Sequence, residues 1–209
     1  MININTKLTT SVLLLLLLIS SCKGGSEEGG STDSLCLQQY PDTATSQYVL
    51  PYKVGDAFRV SQGNCTSHTH NEQYSLEFAY DFAMNIGTEV YAARSGTVTA
   101  VREGVADGTT GFDNINYVAI DHGDGTTAYY LHITKNGALV NVGDVILQGQ
   151  MIALSGNTGT LGTAHLHFHV QESANNSNGY QTIAVSFRNA SPTESHGLRE
   201  GVVYTALSY

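Results

Sequence analysis

Val118-Ala119-Ile120-Asp121-His122-Gly123-Asp124-Gly125-Thr126-Thr127-Ala128-Tyr129-Tyr130 places two runs of strand-forming residues on either side of an Asp-Gly pair. Such a pair accepts the positive φ angles of a tight turn, so the stretch reads as a hairpin of strands 116–121 and 126–132. The same patterning recurs outward from it. Further strands are predicted at 57–61, 77–83, 96–102, 151–154, 165–171, 181–187 and 202–206. Turn signals such as Asn85-Ile86-Gly87, Asp107-Gly108, Asn136-Gly137 and Asn178-Gly179 part them. Outside an N-terminal apolar run, no twelve-residue window carries a 3.6-residue period. The expectation is all-β: antiparallel β-sheets forming a compact barrel or a sandwich.

Composition narrows the function classes. Charged residues are 13% of the 209, too few for a coiled coil or a disordered solvating chain. With 9 Lys+Arg against 18 Asp+Glu and a net charge of −9, there is no basic stripe to neutralise phosphates. Nucleic acid is therefore not an expected partner.

The N-terminus reads as an address. Lys7 precedes Val12-Leu13-Leu14-Leu15-Leu16-Leu17-Leu18-Ile19, a run too short for a bilayer that needs about 20 apolar residues. It suits a secretory signal, and Ile19-Ser20-Ser21-Cys22 is similar to a lipoprotein cleavage box in which Cys22 takes the lipid. Residues 1–21 are thus expected to be a signal peptide and 22–34 a flexible Gly/Ser/Glu tether, leaving 35–209 as one domain. The protein is expected to be exported and lipid-anchored in the cell envelope. Cys36 and Cys65 remain as an even pair that an oxidising compartment would join.

The chemistry concentrates in His165-Leu166-His167-Phe168-His169-Val170. As a strand it puts three imidazoles on one face, and three polar rings cannot form a dry core. A metal or catalytic site is the reading. In Glu77-Phe78-Ala79-Tyr80-Asp81-Phe82-Ala83, alternation turns the aromatic rings inward and sets Glu77 and Asp81 on the opposite face. A carboxylate in such company needs a partner, and the chain has few cations. Tyr129-Tyr130-Leu131-His132 adds a strand ending in an imidazole.

Three segments, YDFAMNIGTEVYAARSGTV (80–98), VAIDHGDGTTAYYLH (118–132) and VNVGDVILQGQMIALSGNTGTLGTAHLHFHV (140–170), resemble the lysostaphin/LytM-type zinc metalloendopeptidases. The likeness spans a core of about 66–172. It implies a β-sheet metallopeptidase domain with a groove, one Zn2+ ion, and peptidoglycan peptide stems or cross-bridges as substrate. Carried over residue by residue, Asp81 and His167 become metal ligands, and His132 and His165 the catalytic pair. One departure stands out. Where the family has its upstream ligand His, four residues before the Asp, this chain has Glu77. His68 is taken as the third ligand, with His70 and Glu77 as alternatives. An Asp and two His leave an open zinc position for water, whereas a second carboxylate would make that water less acidic. His169 is expected to orient a neighbouring ring, and Gly156, Gly159 and Gly162 to shape a cleft wall. His122 and His196 are expected to be structural or solvated.

The rival expectation is an inactive member of the family that activates another cell-wall hydrolase. A biotinyl-type carrier is excluded, because Lys53 and Lys135 lie in no exposed-hairpin carrier motif. Replacing Cys22 by Ser should release the protein from the membrane fraction, and mass spectrometry should find mature wild type beginning at a lipidated Cys22. A Cys22→Ser chain that stays anchored would contradict this.

Overall fold

The structure is a computed structural model describing residues 40–66, 68–159 and 162–209. The signal segment, the tether, Cys22 and Cys36 lie outside the described residues. In chain order the strands are β1 (Ala57–Gln62), β2 (Tyr80–Phe82), β3 (Glu89–Tyr91), β4 (Gly96–Arg102), β5 (Tyr117–Asp121), β6 (Thr126–Leu131) and β7 (Ile133–Ala138). Then follow β8 (Val145–Ile146), β9 (Met151–Ser155), β10 (Leu166–Ser173), β11 (Tyr180–Thr182), β12 (Ala190–Ser191) and β13 (Val203–Ala206). Among the described residues the only helices are single 3-10 turns at Thr43–Thr45, Glu72–Tyr74 and Phe112–Asn114. None is long and apolar enough to cross a membrane. The fold is all-β.

A ten-stranded sheet has the order β12-β13-β1-β2-β10-β6-β5-β4-β8, with β11 also on β10, and a smaller sheet runs β3-β9-β7. Strand neighbours pair antiparallel throughout. The central strand β10 alternates as its sequence predicts. Leu166, Phe168 and Val170 are wholly buried on one face. They oppose Phe82, Tyr80, Tyr130 and Ala128 across the ladders. Each such burial contributes about 1.5–3 kcal/mol, so a one-residue slip that turned this face to water would be costly. The Tyr130 and Phe168 rings lie 5.2 Å apart and Phe168 meets Phe187 at 5.8 Å, tying the sheet to the segment around Phe187.

The opening hairpin forms as β5 and β6. Gly123 and Gly125 take positive φ in its turn, and the Asp124 carboxylate accepts from the Thr126 N–H (3.1 Å) and hydroxyl (2.6 Å). Arg94 faces the same carboxylate at 2.8 Å.

Three elements differ from the sequence expectation. The strand predicted at 77–83 shortens to Tyr80–Phe82, because the Ala79 N–H donates to the Leu76 carbonyl (3.1 Å) and turns the chain before it. The strand predicted at 181–187 stops at Thr182. Asn136-Gly137, read as a turn, lies inside β7. Asn136 takes φ 56 there, and the pairing with β9 shifts register across it, as in a bulge.

Tyr130 is fully buried and its hydroxyl oxygen accepts the Ala93 N–H at 2.8 Å. Tyr130→Phe should strand that donor and cost about 1–3 kcal/mol, read as a lower midpoint in urea. An unchanged midpoint would contradict this packing.

Candidate metal centre

Antiparallel register alone brings the first two groups together. Asp81 of β2 lies directly opposite His167 of β10, so both side chains project from the same face of the sheet. On the other flank of β10, Leu131 of β6 opposes the same His167. These strands floor a groove of about 650 Å³, a size typical of ligand sites.

His70 comes from the loop between β1 and β2, which three contacts hold in place. The Cys65 N–H donates to the Glu77 carbonyl at 2.7 Å, closing the loop at its base. The Gln62 amide oxygen, in the orientation that satisfies its neighbours, accepts from the Thr69 and His70 N–H groups at 3.1 Å each. His70 Nδ1–H donates to the Gly63 carbonyl at 2.9 Å. A carbonyl only accepts, so the proton of the neutral ring sits on Nδ1 and Nε2 is left with its lone pair. Cys65 is disulfide-bonded, and its partner lies outside the described residues.

His70 Nε2, Asp81 Oδ1 and His167 Nδ1 converge. The separations are 3.3 Å from His70 to Asp81, 3.3 Å from His70 to His167 and 2.9 Å from His167 to Asp81. A tetrahedral zinc with bonds near 2.0–2.1 Å holds its ligand atoms about 3.3 Å apart. Two imidazole nitrogens and a carboxylate, all buried, therefore fit such an ion in type and spacing. Burial works to raise the Asp81 pKa, but the adjacent His167 and His70 rings outweigh it and keep the carboxyl well below its usual range. Burial lowers the His167 pKa, partly opposed by Asp81.

The expected third ligand, His68, does not join this group. It is exposed on the groove rim, two residues short of the position that the Gly63 and Gln62 contacts carry inward. Glu77 does not join either. Strand alternation does not reach it, because the chain turns at Leu76–Ala79. Its buried carboxylate accepts from the Thr182 hydroxyl at 3.3 Å instead.

His132 reaches the site by an unusual backbone. It follows Leu131, so continued alternation would send it to the opposite face. Instead it takes φ 64, a left-handed conformation that costs a non-glycine residue energy and collects at functional sites. Its ring centroid lies 4.6 Å from that of His165 and 5.9 Å from that of His167. His132 Nδ1–H donates to the Thr158 carbonyl (2.6 Å) and His165 Nδ1–H to the Thr163 carbonyl (2.8 Å). Both rings, as neutral imidazoles, therefore carry their lone pair on Nε2, and that of His165 lies 3.7 Å from Asp81 Oδ2. Burial, with the nearby His165 and His167, drives the His132 pKa down to about 3.

Gly159 sits in the groove wall at φ 76, where a Cβ would run into Ile115. Gly156 likewise abuts the Thr134 backbone, while Gly162 lines the groove. His122 donates to the Ser95 carbonyl at 2.9 Å, away from the groove, and His196 is exposed. The acceptor carbonyls of Gly63, Thr158 and Thr163 carry no signal in the sequence, since no side-chain pattern announces a backbone acceptor.

A fold of antiparallel sheets carrying a buried His-Asp-His group in a groove defines a candidate metallohydrolase. The profile of peptidase family M23 matches residues 75–179, and the chain belongs to that family. The match includes Asp81, His132, His165 and His167 and begins after His70. The chain is 36% identical over 121 residues to peptidoglycan DD-endopeptidase ShyA of Vibrio cholerae serotype O1, covering 57% of this chain and 26% of that protein. It is 32% identical over 120 residues to murein hydrolase activator EnvC of Escherichia coli, covering 56% and 26%. The matched region thus spans about a quarter of each relative. The solved antimicrobial peptidase lysostaphin from Staphylococcus simulans superposes with a TM-score of 0.48 at 27% identity, covering 66% of this chain and 52% of that one.

The geometry predicts one zinc per chain in His68→Ala and in Glu77→Ala, and none in His70→Ala, by elemental analysis after dialysis. Zinc lost from His68→Ala but kept by His70→Ala would contradict it.

Proposed function

We propose that this protein is a zinc-dependent endopeptidase that hydrolyses peptide bonds in the stems or cross-bridges of bacterial peptidoglycan. The observation that carries this reading is the convergence of His70, Asp81 and His167 beside two further imidazoles, His132 and His165, whose Nδ1 atoms are held by backbone carbonyls. His70 Nε2, Asp81 Oδ1 and His167 Nδ1 would hold the ion. When bound, zinc supplies Lewis-acid polarisation of a peptide carbonyl and an acidified water.

The chain's own residues handle the proton. In hydrolysis the water oxygen bonds to the carbonyl carbon, the C–N bond breaks, and the water's proton must reach the departing nitrogen. His132 and His165 both line the groove, and burial keeps His132 an unprotonated base. The one that accepts the proton becomes an imidazolium, which can hydrogen-bond the developing oxyanion and then pass that proton to the leaving amine. Buried among other imidazoles, His132 gives up a proton readily, which suits the donor half of this cycle.

The similarity to EnvC favours a second reading, an inactive member that activates another hydrolase. The complete set of five groups argues for the enzyme instead. A lipid anchor on Cys22 would hold the domain against the cell wall, its natural substrate in this reading.

Purified zinc-loaded protein should release new muropeptides from isolated peptidoglycan. His132→Ala should keep its zinc and lose at least about 100-fold in rate. Zinc-replete wild type that cuts no peptidoglycan peptide, yet stimulates a second hydrolase, would establish the activator reading.

A further inference from the structure

His167 offers Nδ1 toward Asp81 and His70, while its other nitrogen points the opposite way into the protein. There Nε2 lies 3.0 Å from Nδ1 of His169, and His169 Nε2 lies 3.3 Å from the Gln171 amide oxygen. The direction of these bonds is set from the far end. An amide oxygen only accepts, so His169 Nε2 must carry its proton and donate. A neutral His169 then has its lone pair on Nδ1, and His167 Nε2–H must donate to it. With its proton committed to Nε2, His167 presents Nδ1 as the free donor atom toward the metal position.

The rings are held for this purpose. His169 is 4% exposed. It stacks on Tyr129, its cross-strand partner, with 12° between the planes and 5.2 Å between centroids. His167, His169 and Gln171 occupy alternate positions of β10, so strand geometry lines them up on one face. An imidazole is a costly choice for a buried place unless both nitrogens are partnered, and here both are.

We infer that His169 and Gln171 are positioning residues that lock His167 in the Nε2–H tautomer and aim its Nδ1 at the metal. This rests on the reading of His70, Asp81 and His167 as metal-holding. Neither residue touches the ion or the substrate; both act through His167.

The test is zinc affinity by competition with a chromogenic chelator, on full-length protein and variants. His169→Leu, which removes the acceptor, should weaken zinc binding about 10–100-fold. His169→Asn, whose amide oxygen falls near the former Nδ1, should recover most of the loss. A merely space-filling His169 would give the opposite order, because Leu fills the site better than Asn. Should His169→Leu fail to fold, Gln171→Leu removes the terminal acceptor from a half-buried position and should weaken zinc in the same direction. In zinc-loaded wild type, 15N spectra should show a scalar coupling between His167 Nε2 and His169 Nδ1 across their hydrogen bond. Wild type that binds zinc tightly without this coupling, or variants with unchanged affinity, would overturn the inference. Wild type that binds no zinc would overturn the metal reading itself.

Discussion

The site depends on one register, the pairing of Asp81 with His167 across β2 and β10. Antiparallel partners share a face, so this single alignment puts a carboxylate against an imidazole at 2.9 Å. The same alignment sends Leu166 and Phe168 into the core against Phe82 and Tyr80. Core and site are thus two faces of the same ladder. A slip of one residue would bury the imidazoles among aromatic rings and expose the apolar side chains, which is why the register is so strongly determined.

Backbone carbonyls do the remaining alignment. The carbonyls of Gly63, Thr158 and Thr163 each accept a hydrogen bond from Nδ1–H of one histidine. In a neutral ring each such bond leaves the lone pair on Nε2. His167 is the exception: its Nε2 faces His169 and its Nδ1 faces Asp81. Three rings from loops and strand ends present one nitrogen and the strand ring presents the other. The left-handed turn at His132 fits the same scheme, trading backbone strain for a ring on the working face.

What the sequence disclosed follows from how local each determinant is. Asp81 and His167 sit on strands, where a period of two tells which residues share a face, and β10 alternates as read. His132 and His165 stand in recognisable motifs, and the structure gathers both beside Asp81 and His167. The loop from Cys65 to Leu76 has no period. What sets His70 apart from His68 is that Gly63 and Gln62 hold the later residue, through contacts that no local pattern encodes. Glu77 lies outside the alternation for a related reason: the Leu76–Ala79 bend delays the start of β2 to Tyr80. The short strands β3, β8 and β12 have two or three residues each, too few for any pattern to register.

The most direct test is where the ion binds. Anomalous diffraction at the zinc edge from zinc-loaded crystals should place one ion about 2.0–2.2 Å from His70 Nε2, Asp81 and His167 Nδ1. An open position facing His132 and His165 should remain on its groove side. An ion held by His68 or Glu77, or one coordinated without His70, would contradict the account.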